Sequence, residues 1–215
     1  RRMFAEQEDV FFYLTLMNEN YEHPALPEGA EDGILRGMYL LRDGTSGSAG
    51  KPSVQLLGSG TILREVLAGA DLLVADYGVE ADVWSATSFT ELRRDGLAAE
   101  RWNMLHPGSE PRRSYVAECL AGRPGPVIAA TDYVKTYPDQ IRAFVPGRYR
   151  VLGTDGYGRS DYRRNLRRFF EVDRHYVALA ALTALAEDGA IPADKVADAI
   201  ARYGIDPDTP DPSRT

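Results

Sequence analysis

The chain has 215 residues, 44% of them hydrophobic and 27% charged, with a formal charge of −7 at pH 7. That length suits one domain, or one domain and a fragment, and lets roughly 70% of the unfolded surface be buried; the acidic balance argues against nucleic acid as a general partner. A single cysteine, Cys119, excludes an internal disulfide framework and suits a reducing cytoplasm, and neither a signal-peptide pattern nor an apolar run near the ~20 residues that span a bilayer is present.

Along the chain, residues 11–17 (FFYLTLM) form a nearly continuous apolar run, the pattern of a strand buried on both faces. Residues 18–27 hold turn formers and two prolines and read as a loop. Residues 27–41 are expected to form a short helix, with Pro27 in its first turn and Glu28, Glu31 and Asp32 near its positive end. Residues 43–53 (DGTSGSAGKPS) are a Gly/Ser turn region. A strand–helix rhythm follows. Residues 54–57 read as a short buried strand. Residues 61–77 read as an amphipathic helix with Ile62, Val66, Leu67, Ala70, Leu73 and Val74 on one face, stopped by Gly78. Further strands are expected at 81–86, 127–130 and 149–152. Further helices are expected between 87 and 107 and at 114–121, 135–144, 161–169, 173–188 and 192–203. Asp173 caps the 173–188 helix and Gly189 ends it. The last ten residues, DPDTPDPSRT, read as disordered. Strands alternating with helices predict an α/β fold: three layers, with a mostly parallel sheet flanked by helices.

Two glycine-rich turns follow strands. In LLGSGTILREV, Gly58, Ser59 and Gly60 lead into a helix whose free N–H groups could hold a phosphate. The position where a dinucleotide fingerprint wants its third glycine is Leu63, and Glu80 and Asp82 stand near the start of the next strand rather than at its end. The preferred reading is a packing turn, with a nucleotide-binding protein as the alternative. In GTDGYGRSD (residues 153–161), Arg159 could meet an anion or a partner at the sheet edge. The preferred reading is a structured domain or dimer contact, with Asp155, Tyr157 and Arg159 as interface or cleft-lining residues.

The histidines, His23, His106 and His175, have no metal-ligand spacing. His175 starts a helix and reads as structural, whereas His23 sits in a proline-rich loop and could line a cleft. Trp102, Met104 and His106 gather before Pro107 in a non-periodic stretch, the composition of an interface anchor more than an acid–base site. Cys119 lies mid-helix without an adjacent base, and no GxSxG pattern occurs.

Three blocks in this order, NENYEHPALPEGAEDGI (18–34), TSFTELRRDGLAAERWNMLHP (87–107) and VLGTDGYGRSDYRRNLRRFFEVD (151–173), resemble the C-terminal region of the homodimeric bacterial pyruvate dehydrogenase family. The resemblance runs from about residue 11 to about residue 210. It implies a transketolase C-terminal-like fold. It also implies a piece of a larger thiamine-dependent enzyme, with residues 1–21 ending an upstream pyrimidine-binding domain. Residues 22–53 would be a linker with a short helix, residues 54–205 the C-terminal domain and 206–215 a disordered tail. The parent would decarboxylate pyruvate on thiamine diphosphate with magnesium and reductively acetylate the lipoyl group of the dihydrolipoyl acetyltransferase component. The other implied partner is the second subunit of a homodimer. The family's magnesium motif, GDG followed by a later Asn, is absent, and its activating glutamate belongs upstream. No catalytic, cofactor or metal residue is therefore assigned to this chain, which alone is expected to bind no cofactor and to be inactive. A free-standing α/β binding or assembly module is the reading from a different class.

Overall fold

The computed structural model describes residues 1–13, 19–45 and 50–214. Five strands form one sheet in the order β1-β3-β2-β4-β5: β1 Met38–Arg42, β2 Ser53–Gly58, β3 Glu80–Ala86, β4 Val127–Ala130 and β5 Tyr149–Leu152. All neighbours are parallel except β1, which runs antiparallel to β3. The expected three-layer, mostly parallel α/β architecture is therefore present.

Strands β2, β3 and β4 are buried along nearly their whole length because both sheet faces are covered. Alternate residues divide between the layers. Val54 and Leu56 of β2, with Ile128 and Ala130 of β4, join a core formed with α2 (Leu63–Tyr77) and α7 (Arg174–Glu187). Leu57, Trp84, Val127 and Ala129 face the opposite core, with α3 (Phe89–Leu105) and α4 (Tyr115–Leu120). Two polar groups buried there are matched: the Trp84 indole N–H donates to Gln55 Oε1 at 2.9 Å, and Gln55 Nε2 donates to the Pro124 carbonyl at 3.1 Å. Burying these groups unpaired would be costly, so the pair fixes how β2 and β3 sit.

Several elements differ from the sequence reading. The helix expected over 27–41 is α1, Glu31–Arg36, followed by strand β1. Gly37 makes the break: its φ is +108°, and a Cβ there would lie 2.7 Å from the Ser88 carbonyl, so only glycine can turn the chain against β3 and α3. The helix expected over 135–144 is cut into α5 (Thr136–Asp139) and a 3-10 turn, Arg142–Phe144. Pro138 sits in α5 and removes a donor from any continuing helix. The stretch 102–105, read as non-periodic, is the last turn of α3, which ends on His106. Val74 is exposed rather than on the buried face of α2. Of the strand expected over 11–17, residues 11–13 are irregular and exposed, and residues 14–17 lie outside the described residues. Part of the Gly/Ser turn, 46–49, also lies outside them.

The remaining helices are α6 (Arg163–Phe169) and α8 (Asp194–Arg202). The end of the chain, expected to be disordered, has a defined path. Pro212 is buried, a 3-10 turn spans Pro212–Arg214, and Asp211 accepts from the N–H and hydroxyl of Ser213. A Cβ on Gly156 would meet the Pro212 carbonyl at 2.4 Å, so the tail lies directly on the glycine-rich loop after β5.

Candidate functional site: the crevice at the switch point of the sheet

The strand order places a switch point between β2 and β4. The β2–α2–β3 connection moves towards one edge of the sheet, and the β4–α5–β5 connection moves towards the other. In open α/β sheets the loops leaving the strand carboxyl ends diverge at such a point and leave a crevice. Here those loops carry Ser59, Gly60 and Thr61 after β2, and Thr131, Asp132 and Tyr133 after β4.

Asp132 is the centre of the crevice. Its Oδ2 accepts from the Thr61 hydroxyl at 3.0 Å, and its backbone carbonyl accepts from the Thr154 hydroxyl at 2.7 Å. The loops after β2, β4 and β5 are thus tied together through one aspartate. Oδ1 lies 3.5 Å from where a Cβ on Gly60 would stand. The carboxylate therefore occupies the space in front of the glycine turn and brings negative charge to the positive start of α2. This is the physical reason that the turn reads as packing and not as a phosphate cradle.

Two cavities open on either side of Asp132. One, of about 470 Å³, runs towards α6 over Ile62, Leu166, Phe170 and Val172, with Thr154 and Tyr157 on its rim. The other, of about 340 Å³, lies under residues 19–24 and is lined by His23, Arg64 and Tyr133. Two arginines hold that overlying segment. Arg64 lies 4.5 Å from the centre of the Tyr21 ring and donates to the Glu22 carbonyl at 3.4 Å. Arg163 is 3.4 Å from the Glu19 carboxylate and 3.5 Å from the Tyr21 hydroxyl.

A second charged centre lies behind the first cavity. Glu65 of α2 is buried, and its carboxylate meets Arg174 Nε at 2.9 Å and Arg167 at 3.0 Å. Burial pushes its pKa up, but the hydrogen bonds and charge of Arg174, with the charge of Arg167, bring it below the ordinary glutamate value. At the opposite end of the sheet, Asp82 is fully buried. It accepts from Thr45, Gly44 and Arg123. Burial again opposes ionisation, and these hydrogen bonds, with one from Gln55, hold the carboxyl below its usual value. Both are structural anchors, because every oxygen is used within the fold.

The sequence-derived candidates separate into three places. His23 stands beside the cavity under residues 19–24. Tyr157 is exposed at the crevice rim, whereas Asp155 accepts from the Lys135 N–H at 2.8 Å and shapes the loop. Arg159 does not aim into the crevice: its guanidinium lies on the Phe169 ring at 3.9 Å. Trp102, Met104 and His106 are on the far side of the sheet at the end of α3. Trp102 is half-buried between the His106 ring, stacked at 4.4 Å and 10°, and the Arg112 guanidinium at 4.2 Å. Met104 is 72% exposed. His175 donates its backbone N–H to Asp173 and lies against Tyr203, in keeping with a structural role. Asp132, Thr61, Thr154, Arg64 and Arg163 escaped sequence reasoning. The legible signal was a Thr-Asp pair directly after a buried apolar strand.

Residues 1–24 match the model of the pyruvate dehydrogenase E1 component middle domain. Over 99% of its length the chain is 63% identical to the pyruvate dehydrogenase E1 component of Pseudomonas aeruginosa and 62% identical to that of Cupriavidus necator, and in each case it covers 24% of the relative. The Escherichia coli K12 component is 55% identical over 98% of the chain and 23% of its own length. The chain thus spans about a quarter of the curated relatives it matches. Among solved structures, a transketolase from Campylobacter jejuni superposes with a TM-score of 0.49 at 17% identity, covering 75% of this chain and 20% of that one. Residues 37–173, which contain the whole sheet, both arginine anchors and Asp132, match the transketolase-like TK C-terminal domain, and the chain belongs to that family.

Proposed function

We propose that this chain is the C-terminal portion of a pyruvate dehydrogenase E1 component and works within that larger protein as a packing and dimerisation domain. The observation that carries the reading is the 63% identity over 99% of the chain to a protein of that name. The parent is read as a cytoplasmic oxidoreductase that decarboxylates pyruvate on thiamine diphosphate and passes the acetyl group to the lipoyl group of its acetyltransferase partner.

The chain's own residues do not fit the diphosphate–magnesium site. Its sequence contains no GDG followed by a later asparagine. Among the described residues, no group of three His, Cys, Asp or Glu side chains is placed to hold a metal ion. Magnesium needs carboxylates together with phosphate oxygens; Asp82 is buried and engaged by Thr45 and Arg123, and Asp132 stands where a phosphate would have to meet the Gly60 turn. The reading assigns that chemistry to the rest of the parent enzyme.

Two features support the role in packing. The arginine clamp on Tyr21 joins a segment matching the middle domain to the transketolase-like domain. The end of α3 presents Met104 and Leu105 to solvent beside Trp102, ringed by charged residues, the composition of an interface core with a polar rim. Calorimetry with thiamine diphosphate and magnesium tests the division of labour. The isolated chain should show no binding at micromolar concentration, and tight magnesium-dependent binding would overturn it.

A further inference from the structure

We propose that the crevice beside Asp132 binds a neutral small molecule carrying adjacent hydroxyl groups next to a flat aromatic ring, the chemistry of a nucleoside. The inference is independent of the parent enzyme's reaction. The crevice stands at the switch point of an open α/β sheet, where ligands of such sheets sit. Its volume of about 470 Å³ falls within the range of small-molecule sites, roughly 300–1,000 Å³.

The lining selects the chemistry. One wall is apolar, formed by Ile62, Leu166, Phe170 and Val172, and suits a ring. The facing wall offers the Asp132 carboxylate. Thr61 holds one of its oxygens at 3.0 Å, and Thr154 fixes its backbone at 2.7 Å, so the second oxygen is held in place as an acceptor. A pair of neighbouring hydroxyl groups is the donor arrangement that a single fixed carboxylate accepts. Arg163 and Arg167 also reach the crevice, Arg163 with Glu19 at 3.4 Å and Arg167 with Glu65 at 3.0 Å, a carboxylate that Arg174 shares. A phosphorylated ligand would meet Asp132 where its phosphate needs the start of α2.

Adenosine, 2′,3′-dideoxyadenosine and ATP titrated separately into the full chain test this, with binding read by calorimetry and by amide shifts of Thr61, Asp132 and Thr154. Adenosine should bind saturably and move those amides. Removing both ribose hydroxyls should weaken binding at least tenfold, and ATP should bind at least tenfold more weakly than adenosine. Asp132→Asn keeps an acceptor for Thr61 and should also weaken adenosine at least tenfold with an unchanged melting temperature. Absence of saturable adenosine binding up to millimolar concentration would overturn the proposal. So would equal binding of the dideoxy compound, tighter binding of ATP, or a folded Asp132→Asn chain that binds as the unaltered one does. If that variant fails to fold, the dideoxy comparison on the unaltered chain decides.

Discussion

Glu65 in the first turn of α2 and Arg174 in the first turn of α7 face each other in a two-point contact, with Nε to Oε2 at 2.9 Å and the terminal nitrogen to Oε1 at 3.2 Å. The backbone N–H of Arg174 adds a third bond at 3.1 Å, and Arg167 closes the carboxylate from the other side. The two helices that cover one face of the sheet are thereby locked in register. Removing one partner of a buried pair leaves an uncompensated charge, which costs about 3–5 kcal/mol. Arg174 is half-exposed and recovers some hydration, so Glu65→Ala should cost about 2–3 kcal/mol. In a chain of this size that lowers Tm by roughly 4–12 °C, which differential scanning calorimetry would detect. A change under about 0.5 kcal/mol, the size of an ordinary surface substitution, would show that helix packing alone sets the register.

Acid should weaken the fold through the same kind of group. Glu65 and Asp82 both have folded-state pKa values below their unfolded ones. Each therefore contributes stability above its unfolded pKa and loses that contribution as pH falls through its folded value. Urea midpoints should be level from pH 7 to about 5 and then fall steeply below about pH 4. Asp82→Asn should lower stability at pH 7 and flatten the acid limb. An acid limb of unchanged slope in that variant would remove Asp82 from the account.

Four strands were legible because each is a short, mainly apolar run bounded by turn residues, so the sequence shows 54–57, 81–86, 127–130 and 149–152 to within a residue or so of β2, β3, β4 and β5. Strand β1 was not, because it is an edge strand following a short helix, and only the close approach of Gly37 to Ser88 decides the boundary. The crevice was half legible. The glycine turn marked one wall, but the group that defines its chemistry, Asp132, lies 71 residues from Thr61 in sequence. The Glu65–Arg174 contact spans 109 residues. No local pattern encodes pairings at that distance; they follow from the order in which parallel strands cross.

Phosphate compounds should leave the fold indifferent. Asp132 fills the space before Gly60, so ATP and pyrophosphate should not raise Tm at millimolar concentration. A ligand at one hundred times its Kd would add about 2.7 kcal/mol, and a stabilisation of that size by either compound would revive the phosphate-cradle reading of the glycine turn.

The end of α3 should matter more to association than to folding. Trp102 stacks on His106 and Arg112 at the surface, so Trp102→Ala should cost the isolated chain less than the ~3 kcal/mol of a core aromatic. Met104→Ala should cost it no more than about 0.5 kcal/mol, as exposed substitutions do. In a longer protein that carries this domain, Trp102→Ala should weaken dimerisation by about 2 kcal/mol or more, measured by sedimentation equilibrium. Unfolding of the isolated chain with unchanged association would place Trp102 in the core.

The most direct measurement replaces the corresponding segment of the Pseudomonas aeruginosa pyruvate dehydrogenase E1 component with residues 1–215 and follows pyruvate decarboxylation. Circular dichroism and sedimentation report on folding and assembly of the chimera. If this chain is the C-terminal portion of such an enzyme, the chimera should fold, form dimers and keep its activity within about an order of magnitude of the parent, a loss of at most ~1.4 kcal/mol in the barrier. A folded, dimeric chimera that does not decarboxylate pyruvate would contradict the assignment.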